Sequence, residues 1–176
     1  MNLKLKQTPG IYLVGFMGSG KSTVGRHLAR GLGWSFFDID AEIERAENMA
    51  IAEIFAVRGE AEFRRIEAEM VGQHVRWIAH GRPAVVALGG GAFAIPATRE
   101  LLRENGVTVW LDCAFETVAR RVAQDPSRPL AQDPEQFQAL YLARRDIYSL
   151  ADVRIPVAEE DAEAVVEALL AHPMLR

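Results

Sequence analysis

The octapeptide Gly15-Phe16-Met17-Gly18-Ser19-Gly20-Lys21-Ser22 matches the pattern G-x-x-x-x-G-K-[ST]. An apolar run, Ile11-Tyr12-Leu13-Val14, precedes it, and a helical pattern from Lys21 to Leu32 follows. In that context the glycines let backbone N–H groups turn toward a phosphate, and the helix start adds its positive dipole end. Lys21 is placed to reach the β- and γ-phosphates, and the Ser22 hydroxyl to ligate Mg²⁺. Two further carboxylates, Asp38 and Asp40, follow the next apolar run, Trp34 to Phe37. If the backbone stays extended, residues two apart point to one side. One carboxylate could then hold Mg²⁺ through water, and the other could accept or orient the proton of an attacking hydroxyl. Helix capping would account for one of them. Gly89-Gly90-Gly91 ends a third apolar run, Ala84 to Leu88. Three adjacent glycines imply that a ligand or another backbone approaches closely there. That strand end carries no Walker-B acid, so Asp38 becomes the candidate carboxylate for the metal. Arg64 and Glu67 are three apart in a helical region, on one face. Arg128, in the loop segment Arg128-Pro129-Leu130, could neutralise a transferring phosphoryl group. Arg144 and Arg145 sit on the following helix, one of them expected to be only a solvated charge.

The elements that must carry these residues alternate between short apolar runs and helical periods. Strands are expected at Ile11–Val14, Trp34–Phe37, Ala84–Leu88, Val107–Leu111 and Val153–Ile155. Helices are expected at Lys21–Leu32, from Ala41 to about Ala79 with interruptions near Asn48 and Gly59, and at Pro96–Asn105, stopped by Gly106. Three more are expected at Phe115–Gln124, Glu135–Leu150 and Ala162–Leu170, with a loop over Asp125–Pro134. Near-continuous apolar strands separated by helices indicate an α/β fold, a five-stranded parallel sheet flanked by helices. Such sheets bind ligands at the carboxyl ends of their strands, where the residues above fall.

Length and composition limit the alternatives. A chain of 176 residues with 49% apolar and 25% charged residues suits one globular domain with a sizeable core. The net charge of −4 argues against non-specific nucleic-acid binding. Cys113 is the single cysteine and can form neither an internal disulfide nor a zinc site. No apolar run approaches a membrane span, and the one before Gly15 is too short for a signal segment. A cytoplasmic monomer is the expectation. The basic residues are nearly all arginine, the lysines being Lys4, Lys6 and Lys21, and arginine suits planar anions. The residues themselves thus point to a small P-loop kinase with a hydroxylated, anionic small-molecule acceptor.

From about Ile11 to Leu170 the sequence resembles the shikimate kinases. The parts fall in that family's order. The phosphate loop running on to Thr23 comes first, then Phe37-Asp38-Ile39-Asp40 and Ile54-Phe55, with Gly59-Glu60 and Phe63-Arg64-Arg65-Ile66-Glu67 after them. Gly89-Gly90-Gly91, Ser127-Arg128-Pro129-Leu130, and Arg144 four residues before Tyr148 complete the set. The phosphate loop is shared with many families, and the combination is much more specific. The resemblance implies transfer of the ATP γ-phosphoryl group to the 3-hydroxyl of shikimate, on the route to chorismate and the aromatic amino acids. It implies a fold like that of the nucleoside monophosphate kinases, as a single domain over 1–176. A substrate-binding helical region would cover about 38–80 and a lid about 123–134.

The resemblance also implies roles. Gly18, Ser19, Gly20, Lys21, Ser22 and Thr23 would hold the nucleotide, with Arg121 against the adenine and Arg128 on the phosphates. Ser22 and Asp38 would hold Mg²⁺. Asp40 would hold the shikimate hydroxyls and could act as base. Arg64 and Arg144 would clamp the carboxylate, Glu67 would position Arg64, and Gly89, Gly90 and Gly91 would border the substrate, Gly90 through its backbone. Ile39 replaces a small hydroxyl residue common in the family, and matters little if it points into the sheet. Asp146 replaces a common proline and brings negative charge near Arg144. The spacing to Tyr148 favours Arg144 over Arg145 as the substrate contact. The loop after Ile155 has Glu159, Glu160 and Asp161 and no arginine, so no adenine contact is assigned there. A kinase of another small acid such as gluconate, a nucleoside monophosphate kinase, and a non-catalytic nucleotide-binding module are the competing readings. A non-catalytic module would bind ATP without turning over any acceptor.

Overall fold

A computed structural model describes residues 10–124, 133–158 and 161–175. Five strands alternate with helices: β1 (Gly10–Val14), α1 (Lys21–Leu32), β2 (Ser35–Asp38), α2 (Ile39–Glu47), α3 (Ile51–Ala79), β3 (Ala84–Ala87), α4 (Pro96–Glu104), β4 (Val107–Cys113), α5 (Phe115–Ala123), α6 (Pro134–Tyr148), β5 (Val153–Val157) and α7 (Ala162–Ala171). Short 3₁₀ turns occupy Ala92–Ala94 and Pro173–Leu175. The sheet is wholly parallel in the order β2-β3-β1-β4-β5. Parallel pairing needs a crossover between neighbours, and helices supply it here. Strands β1, β3 and β4 are buried along their whole length, as their apolar runs require. All five carboxyl ends meet at one edge, and the phosphate loop, Asp38, Asp40 and the glycines stand there.

Several boundaries move, each for a local reason. Trp34 is not in the second strand. Its N–H donates to the Ala29 carbonyl at 2.9 Å, within the end of α1. β4 runs on to Cys113 and β5 to Val157, in register at Leu111↔Ile155 and Cys113↔Val157. The expected end of β4 at Leu111 falls two residues short, and the acid beyond it, Asp112, is accommodated inside the strand as a buried residue. Pro134 belongs to α6 rather than to the loop. It takes the first helical turn, where no N–H is needed, behind the Asp133 cap. Gly106 is not a left-handed helix stop. A Cβ there would strike the Gly10 carbonyl oxygen, so its role is close approach of backbones. The interruptions expected near Asn48 and Gly59 are present. Asn48 ends α2 in the left-handed region, and Gly59 is a non-helical point inside α3. The expected loop falls, from 125 to 132, outside the described residues, and so do Arg128, Glu159 and Glu160.

Candidate active site

The site begins where β1 stops. Gly18 and Gly20 take φ of 77° and 91°, which a side chain would resist, and the loop curls to start α1 at Lys21. The Lys21 ammonium lies inside the curl, donating to the carbonyls of Gly15 at 2.8 Å and Phe16 at 2.9 Å. Ser19 is buried, and its hydroxyl has no hydrogen-bond partner among the described residues. Ser22 donates its hydroxyl to the Asp38 carboxylate. Arg121 of α5 donates to the Gly18 carbonyl at 2.9 Å, which ties that guanidinium to the loop.

Asp38 and Asp40 both face the same cavity, though not as two residues of one strand. Asp38 ends β2 and caps α2, accepting from the Ala41 N–H at 3.3 Å. Asp40 is in the first turn of α2. Asp38 therefore caps α2 with one carboxylate oxygen and accepts from Ser22 with the other. Ile39 is fully buried between them, so its side chain points into the core. The cavity has a volume of about 600 Å³, and its wall includes the loop from Met17 to Val24, Asp38, Asp40, Gly90 and Arg121. At its other end are Val157, Asp161, Ala162 and Val165.

The three glycines form the wall beside Asp40, and side chains, not a second backbone, press on them. A Cβ on Gly89 would lie 2.6 Å from Asp40 Oδ1 and 2.7 Å from Glu67 Oε1, and one on Gly91 would strike the Arg64 guanidinium. A Cβ on Gly90 would meet nothing closer than the Tyr148 hydroxyl at 3.7 Å. This contrast yields a stability prediction. Gly89→Ala must displace two carboxylates and is expected to cost about 1–3 kcal/mol. Gly90→Ala is expected to stay within about 0.5 kcal/mol. Urea unfolding of the pair checks both, and equal costs would contradict the packing described.

Arg64 is held on three sides. Glu67 Oε2 lies 2.6 Å from one nitrogen, Glu60 lies 3.6 Å from the other, and the guanidinium sits 5.2 Å from the Phe63 ring centroid. Glu67 is 1% exposed, and its Oε1 has no hydrogen-bond partner among the described residues. Burial pushes its carboxyl above the usual range, the Arg64 charge opposes this, and the neighbouring Asp40 adds to it. Arg144 also acts on Glu67 and on the Tyr148 hydroxyl. Tyr148 is buried and donates to the Gly90 carbonyl at 2.5 Å. Arg145 is turned elsewhere, onto Asp112 at 2.5 Å. This separates the two adjacent arginines: Arg145 is committed to Asp112, while Arg144 acts electrostatically on Glu67 and Tyr148. Asp146 is exposed.

The structure thus brings together Gly18 to Thr23, Asp38, Asp40, Arg64, Glu67, Gly89 to Gly91, Arg121 and Arg144. Arg128 lies outside the described residues. Sequence reasoning used Tyr148 only as a spacing marker, although an aromatic one helical turn beyond Arg144 signals a side chain on the same face. The loop after Ile155 had no assigned adenine contact; Val157 before it and Asp161, Ala162 and Val165 after it stand on the cavity wall, although nothing in their spacing singles them out.

The model for the family described as "Shikimate kinase" matches residues 17–172. A curated shikimate kinase from Moorella thermoacetica is 44% identical over 164 residues, covering 92% of each chain. A solved structure, the Acinetobacter baumannii shikimate kinase in complex with shikimate, is 36% identical with a TM-score of 0.85, covering 94% of this chain and 93% of that one. A gluconokinase from Sinorhizobium meliloti, 20% identical with a TM-score of 0.56 and covering 94% and 91%, shares the fold alone.

Proposed function

This chain belongs to the shikimate kinase family, and on that premise we propose how its cavity works. The enzyme transfers the γ-phosphoryl group of ATP to the 3-hydroxyl of shikimate, giving shikimate 3-phosphate and ADP. The observation that carries this is one continuous wall. The phosphate loop, Asp40 and the Arg64–Glu67 pair all meet at Gly89–Gly91, so that a nucleotide phosphate and an anionic alcohol can lie side by side.

Phosphoryl transfer asks mainly for positioning and charge stabilisation. Loop N–H groups and the start of α1 receive the phosphates, and Lys21 turns its ammonium from the loop carbonyls to the β,γ-bridge. Arg121 meets the base end of the nucleotide. Ser22 and Asp38 are a hard-oxygen pair. Such a pair suits Mg²⁺, which takes few protein ligands and completes its shell with phosphates and water. When bound there, Mg²⁺ supplies charge neutralisation on the phosphates. Asp40 accepts the proton of the 3-hydroxyl as its oxygen bonds to the γ-phosphorus and the bond to ADP breaks. Arg64, pre-set by Glu67, and Arg144 take the shikimate carboxylate through planar, charge-assisted hydrogen bonds. The helical segment from about 38 to 80 serves as the acceptor-binding region. Arg128 is assigned to the phosphates by its motif alone.

A cytoplasmic monomer fits this role, as a kinase needing neither nucleic acid nor membrane. Among the described residues no helix is long and apolar enough to cross a membrane.

Arg64 gives the direct test of the acceptor side. Arg64→Ala is expected to raise the KM for shikimate about 10²-fold, leaving Glu67 buried without its partner, while the KM for ATP stays within about twofold. Steady-state kinetics with each substrate varied checks this, and an effect on ATP alone would contradict the assignment.

A further inference from the structure

An ion-pair cluster lies outside the cavity, at the carboxyl end of β4. The Asp112 side chain is 7% exposed. Arg145 of α6 donates to Oδ1 at 2.5 Å and to Oδ2 at 3.2 Å. Arg154 of β5 donates to Oδ2 twice, at 2.9 and 2.6 Å. Both guanidinium carbons stand 5.1 Å from the Trp110 ring centroid. A carboxylate this deep needs such partners to stay charged. The space enclosed there is about 10 Å³, room for roughly one water, so the cluster is a clamp and not a ligand pocket.

What it clamps is α6. Tyr141 donates to the Cys113 carbonyl at 2.7 Å, Arg145 donates back to the Tyr141 hydroxyl at 2.9 Å, and Tyr148 donates to the Gly90 carbonyl. Residues 141, 145 and 148 form one stripe at helical spacing. That stripe is tied to two successive residues of β4 and to the glycine wall, which leaves α6 no freedom to rotate about its axis. The neighbouring residue, Arg144, is thereby presented on the side of Glu67 and Tyr148, where its positive charge opposes the upward push that burial gives both groups.

We propose that the Asp112–Arg145 pair is a positioning device for the acceptor site: by fixing the rotation of α6, it aims Arg144 at the acceptor carboxylate. This rests on Arg144 meeting that carboxylate, as assigned above. Asp112 and Arg145 touch no substrate, and their effect passes through Arg144.

The test is a double-mutant cycle on Arg144 and Arg145. Arg145→Met keeps a long apolar stem against Trp110 and Tyr141 and leaves Asp112 paired with Arg154. It is expected to raise the KM for shikimate about tenfold, leave the KM for ATP within about twofold, and recover in part with Arg145→Lys. In an Arg144→Ala background, Arg145→Met should change the shikimate KM no further. A lowered thermal midpoint with an unchanged shikimate KM would overturn the proposal, leaving the clamp a purely structural feature. So would effects that multiply across the cycle. An Arg144→Ala variant with unchanged shikimate KM would instead remove the carboxylate role of Arg144 itself, and the proposal with it. Asp112→Asn, read on the same two KM values, serves if Arg145→Met does not fold.

Discussion

Asp40→Asn is expected to lower kcat by a factor of roughly 10²–10⁴, with the KM for ATP within about threefold of the parent value. The substitution keeps shape and a hydrogen-bonding oxygen but removes the acceptor for the hydroxyl proton. Asp40 stands in the first turn of α2, on the wall of the cavity that holds the phosphate loop. Its carboxylate lies against the bare backbone of Gly89, close to the buried Glu67. A basic oxygen is therefore held at the junction of the acceptor and phosphate sides. Rapid-mix measurement of the chemical step, alongside steady-state kinetics, checks the effect. A variant that retains more than about a tenth of parental kcat would move the proton acceptor elsewhere.

Lys21→Ala is expected to lower kcat by about 10²–10³, or more if loop order is also lost. The ammonium has two tasks. It holds the curl through the carbonyls of Gly15 and Phe16, and in the proposed mechanism it meets the charge that develops on the β,γ-bridge during transfer. Alanine removes both. Calorimetric titration with ADP should show weakened but measurable binding, because the loop N–H groups and the start of α1 remain. Turnover within about tenfold of the parent would contradict a role for Lys21 in the transition state.

Much of this was legible in the chain because the decisive signals are local. The phosphate loop, the Asp38–Asp40 spacing and the triple glycine each fit within a few residues, and the parallel sheet, though not its strand order, follows from where apolar runs alternate with helices. Even there the physics differed in detail. Asp38 and Asp40 share a cavity because a helix starts between them, not because a strand continues. Gly89 and Gly91 are bare because Asp40, Glu67 and Arg64 press on them. What stayed illegible depends on distant pairing. Asp112 lies just past the expected strand end, yet Arg145 and Arg154, 33 and 42 residues away, neutralise it and let β4 continue. Between the two arginines of α6, the spacing to Tyr148 favoured Arg144, and the position of Asp112 shows where Arg145 goes instead.

The central claim is that this cavity phosphorylates shikimate. ADP release from Mg²⁺·ATP with shikimate, gluconate or AMP as acceptor, with the phosphorylated product detected, tests it most directly. Strong stimulation by shikimate alone, accompanied by shikimate 3-phosphate, is the predicted result. Stimulation by gluconate or AMP, or ATP binding without turnover of shikimate, would contradict it and withdraw the roles given to Asp40, Arg64 and Arg144.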